Sequence, residues 1–388
     1  MAVMSVGLLS GRHMIDSFPL NLPREETSMQ FGLFMMPLHP PERSFVDSYE
    51  RDLAQIVLAD RLGYHEVWIG EHLTERWENA PAPELLIAQA LIKTEKIVLA
   101  TGVTLLALHN PVEVAHRIAM LDHLARGRFY WGIGGGAIPT DLALFGLQDC
   151  TPAQVRERSA EALDVILKLW ASDGAFSYRG KFFEVTAPSM DPVRERGFYM
   201  KPYQKPHPPI GVAATSIGSA AIRLAGARGF MPMSSSLLAP AHLKDHWPLV
   251  EAGAASAGRA ADRRQWRIGR DVFVAETSKL AQERAREVLG RNYVRHQYPN
   301  RRGTSQMAAC KIDPSMPDDA LDVDYMMEHL WIVGDPEECA DRIRRLYESV
   351  GGFGMLLAIT TDSDNPEWDH RSLQLLIEEV GPRIADLN

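Results

Sequence analysis

Cysteine is scarce in this chain: three residues in 388, at positions 150, 310 and 339, with no CxxC pair among them. An odd and scattered set is not a disulfide framework, and it points to reduced thiols in a cytoplasmic protein. No apolar run approaches the roughly 20 residues that cross a bilayer. The mildly apolar start, Met1 to Leu9, lacks the basic lead-in and Ala-x-Ala site of a secretory signal. Basic clusters are missing as well. A net charge of -9 with no compensating Lys/Arg patch speaks against a nucleic-acid partner and against steering to an anionic membrane. Neither HExxH nor GxSxG occurs, and His39, His109, His116 and His123 have no metal-ligand spacing. Metal catalysis and a serine hydrolase lose their usual signatures.

What is present suits a large folded core. Hydrophobic residues make up 46% and charged residues 23%, the balance of a globular protein and not of a disordered one. The length is within reach of one large α/β barrel. Residues 1–28 carry no clear period and end in the polar stretch Pro23 to Ser28, so they read as an N-terminal extension outside the fold proper. The patterned domain then covers 29–388.

From Phe31 onward, short apolar runs alternate with segments of helical period. Strands are expected at 31–36, 64–69, 97–103, 129–133, 210–214, 230–233, 266–275 and 353–360. Helices are expected at 44–62, 83–93, 112–124, 152–170, 218–227, 241–255, 278–294, 336–349 and 371–384. Eight strands joined by helical crossovers give a single (β/α)8 TIM barrel. Two stretches break the alternation, about 172–209 and 295–330. Both are rich in proline and read as insertions in the loops at the C-terminal face, the second as a cover over the barrel mouth.

Active groups of such a barrel stand where strands end at that face. Those positions hold His39 after the first strand, Glu71 and His72 after the second, and Thr101 and Gly102 at the end of the third. Gly134 and Gly135 follow the fourth, Thr215 and Ser216 the fifth, and Ser234 to Ser236 the sixth. Glycines, hydroxyls and a histidine or two suit a large planar ligand with a phosphate tail better than they suit hydrolysis. The turn Ala214 to Ser219 closes a strand and opens a helix, where backbone N–H groups favour an anion. An ordinary helix cap by Thr215 or Ser216 explains the same residues equally well. Gly132-Ile-Gly-Gly-Gly-Ala137 has the form of a dinucleotide fingerprint, but three strands precede it and no clean helix opens after it. Its glycines fit close approach to a flat ring, or simply a flexible loop. His72 is either a catalytic group or a structural one.

As a set these residues resemble the bacterial luciferase-like flavin monooxygenases, closest to the limonene monooxygenase-like branch, over about Phe31 to Ile384. The matching stretches are Phe31 to Pro37 with His39, Tyr64 to His72, Thr101 to Val103, His109 to Pro111 and Leu121 to Arg128. They continue through Gly132 to Gly136 with Asp141, Pro206 to Pro209, Ala214 to Ser219, Val333 to Glu337 and Gly351 to Gly354. The resemblance implies an enzyme that takes reduced FMN, supplied by a separate flavin reductase, and O2. It oxygenates a small apolar organic substrate through a C4a-peroxyflavin. FAD, or a deazaflavin (F420) that transfers hydride on the same barrel, is the alternative cofactor; a catalytically silent flavin-binding relative is the other competing reading. The resemblance also implies a homodimer. It makes His72 the catalytic histidine and sets Gly134, Gly135 and Asp141 against the flavin, with Thr101 and Gly102 beside it. Thr215, Ser216, Gly218 and Ser219 become the phosphate turn. Ser159 stands where relatives often carry a phosphate-binding Tyr, and Leu73 where they usually carry a second His or a polar residue. Met36, His39 and Leu106 are expected to line the substrate pocket.

Overall fold

The computed structural model describes residues 29–78, 80–136 and 138–387; the expected extension over 1–28 lies outside these residues. In chain order the strands are β1 (Gln30–Met35), β2 (Glu66–Ile69), β3 (Val98–Leu105), β4 (Phe129–Gly134), β5 (Phe176–Arg179), β6 (Glu184–Ala187), β7 (Ile210–Ala214), β8 (Met231–Ser234), β9 (Arg267–Val274), β10 (Ile332–Gly334) and β11 (Met355–Thr360). Eight of them pair in parallel around a closed ring, β1-β2-β3-β4-β7-β8-β9-β11 and back to β1. The expected eight-stranded TIM barrel is the fold. Among the described residues no helix is long and apolar enough to cross a membrane.

Local signals set most helix ends. The helix α1 (Phe45–Leu62) starts under Ser44, whose hydroxyl accepts the Asp47 N–H, and stops at Gly63 in the left-handed region. Further helices are α2 (Pro83–Leu91), α3 (Pro111–Ala125), α4 (Pro139–Leu144) and α5 (Pro152–Ala171), the last opened by a Thr151–Gln154 capping box. Then come α6 (Ala220–Arg228), α7 (Pro240–Leu243) and α8 (His246–Ser256). The single helix expected over 241–255 is thus broken, and His246 opens its second piece. The closing helix begins at Pro366 instead of 371, because Asn365 caps it by accepting the Glu367 N–H.

Two other expectations are corrected. Residues 172–209 contain an antiparallel hairpin, β5 with β6, whose Phe176, Tyr178, Phe183 and Val185 pack on the main core. Residues 295–330 are not irregular but a run of short helices, Tyr298–Arg301, Ser305–Ala309 and Val323–His329. They close a satellite core with Met307, Leu321, Met326 and Trp331 packed on Leu237, Phe273 and Leu289. Prolines at 299, 314 and 317 chop the helical period into pieces too short to read from sequence. The short β10, also unforeseen, adds to β9 beyond the point where β11 leaves it.

Inside the barrel, alternate strand residues point to the axis. Trp68, Ala100, Met231, Met233, Met355 and Leu357 fill it, while Val67, Ile69, Leu99, Leu356 and Ala358 face the helices. Trp68 is the centre of this packing. A Cβ at Gly102 or Gly211 would come within 2.8 or 2.5 Å of its side chain. At Gly132 a Cβ would sit 2.0 Å from the Thr101 carbonyl oxygen and 2.9 Å from the Trp68 ring. The indole N–H donates to Glu66 Oε1 at 2.7 Å, and Arg267 clamps both oxygens of the same carboxylate at 3.2 Å. Burial works against the charge on Glu66, but Arg267 outweighs it and holds the carboxyl down at about 2.

The tightness of this interior is measurable. Gly132→Ala should destabilise the fold by about 1–3 kcal/mol through overpacking. Gly136→Ala, whose new methyl meets nothing within 4 Å, should leave the urea midpoint unchanged. Equal midpoints for the two variants would show that the barrel axis is not the constraint described.

Candidate active site

The loop after β2 carries His72 to the C-terminal rim. Its Nε2 lies 2.9 Å from Glu78 Oε2, and its Nδ1 lies 3.5 Å from Asp141 Oδ2. Asp141 sits in the first turn of α4, where its other oxygen accepts the Thr74 backbone N–H at 2.8 Å and the Thr74 hydroxyl at 2.6 Å. Burial disfavours the charge of His72, but Asp141 and Glu78 overcome it and push the imidazole up to about 10. Glu78, buried between two histidines, is brought down to about 2. His72 is therefore an imidazolium at neutral pH. At 3.5 Å its contact with Asp141 is an ion pair without a good hydrogen bond. Both His72 Nδ1 and Asp141 Oδ2 are buried without a hydrogen-bond partner. The two atoms face each other as a stretched, buried ion pair that holds the ring between Asp141 and Glu78.

The second element is the turn between β7 and α6. Gly218 adopts φ +68° with no atom within 4 Å of where a Cβ would stand, so the backbone there is open to a ligand. Ser219 is the N-cap residue of α6, yet its hydroxyl makes no capping bond. The N-cap is therefore neither Thr215 nor Ser216, the residues of the cap reading. Hydroxyls at Thr215, Ser216 and Ser219, with a helix N-terminus behind them, fit a phosphate. The residues present thus fit a phosphorylated planar cofactor: open donors at the turn, an imidazolium on the rim, and Gly135 and Gly136 with no crowding of their exposed backbone.

The remaining candidates fall into different places. Thr101 is fully buried, its hydroxyl donating to the Gly132 carbonyl and accepting the Gly132 N–H, both at 3.0 Å. It ties β3 to β4 where the register shifts, and Gly102 follows at a cis peptide bond to Val103. Gly134 packs against Val103, 2.4 Å from a would-be Cβ. Ser159 is buried in α5 and donates its hydroxyl back to the Val155 carbonyl at 3.0 Å. Leu106 lies in the short helical turn after β3 and joins the main core, and the Met36 sulfur stands beside Gly70. His39 is held on both sides, by Asp52 at 2.9 Å and Asp362 at 3.0 Å, and lines a cavity of about 100 Å³ with Arg51, Asp369 and His370. Burial notwithstanding, those carboxylates raise it to about 9. Among the described residues no group of His, Cys, Asp and Glu side chains is placed to hold a metal ion.

Sequence reasoning missed Glu78 and His296. His296 Nε2 donates to Glu78 Oε1 at 3.1 Å, and its ring stacks on Trp77 at 5.6 Å. Glu78 is thus shared by two imidazoles, one from the β2 loop and one from the 295–330 stretch. This chain has Leu73 after His72, and the second histidine arrives from a distant segment. Arg301 of the same stretch lies within electrostatic reach of Glu78 and Asp271. No local pattern marks these residues; only the fold joins them.

The comparisons with known proteins agree with this geometry. The family model for luciferase-like monooxygenases matches residues 29–352. The 2,5-diketocamphane 1,2-monooxygenase 1 of Pseudomonas putida is 31% identical over 370 residues, covering 92% of this chain and 99% of that protein. Limonene 1,2-monooxygenase of Rhodococcus erythropolis is 30% identical over 359 residues, 92% of this chain and 87% of its own. The oxygenating constituent of 3,6-diketocamphane monooxygenase of Pseudomonas putida, solved in complex with FMN, superposes with a TM-score of 0.85 at 30% identity, covering 92% of this chain and 99% of that one. With the match spanning nearly the whole barrel, the chain belongs to the luciferase-like monooxygenase family.

Proposed function

We propose that this protein is an FMN-dependent monooxygenase that inserts oxygen from O2 into a small apolar organic substrate. Its electrons come from a separate flavin reductase. The observation that carries the reading is His72: an imidazolium on the barrel rim, held charged between the buried carboxylates of Glu78 and Asp141. Relatives named for diketocamphanes and limonene support the oxygenation and the class of substrate, and the FMN complex supports the cofactor. That the solved relative is described as an oxygenating constituent supports a second, reducing component.

In this reading Thr215, Ser216, Gly218 and Ser219 hold the phosphate, while the backbone of Thr101, Gly102, Gly134 and Gly135 borders the ring. Reduced FMN supplies the electrons that activate O2. His72 holds a positive charge near where negative charge develops, and Glu78 on its Nε2 keeps the ring protonated. Asp141 orients the imidazole from its other side. Met36 and Leu106 belong to the apolar wall, and residues 295–330 cover the site and keep water out through His296 on Glu78. The working enzyme is a homodimer in the cytoplasm, with exposed Leu85, Ile92, Met120 and Leu124 on the α2–α3 side as apolar surface for a second copy.

The direct test supplies the chain with reduced FMN, 18O2 and a panel of bicyclic diketones and monoterpenes. One 18O atom should appear in the product. No incorporation across the panel, together with hydride transfer from a reduced deazaflavin, would overturn the reading.

His72→Gln should lose roughly 10²–10⁴-fold in oxygenated product while keeping FMN affinity and releasing more hydrogen peroxide. Its stability deficit should also depend on pH. A group whose pKa is raised on folding stabilises most below its unfolded value, about 6.5. The deficit, of order 1–3 kcal/mol, should therefore be full at pH 6, shrink as pH rises, and vanish above about pH 10. Urea midpoints of the two proteins that stay equally far apart from pH 6 to 10 would show that the imidazole is not held charged.

Ser216→Asp should weaken binding of reduced FMN about tenfold or more, by repulsion of the phosphate and loss of a donor. Unchanged affinity in an equilibrium titration would remove the 214–219 turn from the site.

A further inference from the structure

We propose that His246 is the positioning residue of the phosphate turn, aiming a backbone N–H at the anion by holding the Ser216 carbonyl; this rests on the FMN reading above. His246 opens α8 and is fully buried. Its Nε2 lies 3.1 Å from the Ser216 carbonyl oxygen and its Nδ1 2.8 Å from Ser234 Oγ. Ser234 Oγ also lies 2.9 Å from Trp266 Nε1.

With the imidazole neutral, the form that burial favours, one arrangement of hydrogens satisfies all three contacts. A carbonyl can only accept, so Nε2 of His246 carries a hydrogen. An indole N–H can only donate, so Ser234 Oγ accepts from Trp266 and turns its own hydrogen to His246 Nδ1. The neutral imidazole is then in a single tautomer. Burial lowers its proton affinity, in agreement with that assignment. Trp266 stands just before β9 and Ser234 ends β8, so the chain of bonds runs from the rigid barrel wall to a loop.

The loop end is what matters for binding. Ser216 lies between β7 and α6, outside both regular hydrogen-bond ladders, so secondary structure does not set the direction of its carbonyl. The peptide that follows is trans, and across a trans peptide the C=O and the next N–H point opposite ways. With the Ser216 carbonyl drawn inward to α8, the Ile217 N–H points outward. Beside it Gly218 leaves open space and the Ile217 side chain is exposed. Two buried polar side chains, neither touching a ligand, thereby preset an N–H for an anion before it arrives.

The test compares reduced FMN with reduced riboflavin, which lacks only the phosphate, by anaerobic equilibrium dialysis. Wild type should prefer FMN. His246→Leu should lose about tenfold in FMN affinity with riboflavin affinity within twofold, and His246→Gln, whose amide N–H can reach the same carbonyl, should recover most of the loss. Ser234→Ala, a smaller change that frees the imidazole, should shift the FMN-to-riboflavin ratio in the same direction. A common fall in both affinities would make His246 a general structural residue and overturn the proposal. An unchanged ratio in His246→Leu or in Ser234→Ala would overturn it too. A wild type that binds the two flavins equally would instead overturn the phosphate-turn reading beneath it.

Discussion

Everything on the rim depends on how the barrel axis is filled. Trp68 occupies it because three neighbouring strands present glycine at its level, and the Glu66 carboxylate takes its N–H while Arg267 neutralises the charge. Breaking a buried pair of this kind from one side leaves an uncompensated charge, which is far worse than never having built it. The pair joins β2 to β9 across the interior, so the loops above start from fixed points. His72 leaves β2 four residues above Trp68, and Thr101 and Gly132 are pinned to each other beside it.

Two histidines on this rim are raised in pKa by paired carboxylates, yet they are prepared for different ends. His39 has a short contact on each ring nitrogen and a cage completed by Arg43 and Arg51 on Asp362. Such a group is already satisfied and ties α1 to the loop after β11. His72 has one short contact, to Glu78, and one stretched one, to Asp141. A ring held firmly on one nitrogen and loosely on the other can turn toward a ligand, which a ring held tightly on both cannot. The contrast separates a structural histidine from one poised for chemistry, although both sit just past a barrel strand.

The segment between β9 and β10 connects to this chemistry from outside the barrel. Its helices rest on their own apolar core and on β9, and its helical turn at 293–297 delivers His296 to Glu78. Glu78 then works as a shared acceptor whose negative charge serves His72 and whose position is fixed by His296. At the opposite part of the rim the same economy appears: His246 and Ser234, buried behind the β7–α6 turn, orient the backbone without reaching the surface.

The sequence by itself determined the architecture. Alternating apolar runs and helical periods, with Ser44, Gly63, Thr151 and Gly229 at helix ends, specify parallel strands with crossovers, because burial on one face and capping are local properties. It also placed His72, Asp141 and the 214–219 turn among the candidates, since strand ends at one face of a barrel converge wherever the barrel closes. Periodicity could not show that 295–330 is folded, because its helices are shorter than the stretch needed to display a period. Nor could it separate His39 from His72, or find Glu78, His296 and His246. Their roles depend on partners, and a partner such as His296 lies 218 residues from Glu78. A residue's period says which face it occupies. Which distant side chain completes its hydrogen bonds is decided only when the ring of strands closes and brings loops from opposite ends of the chain together.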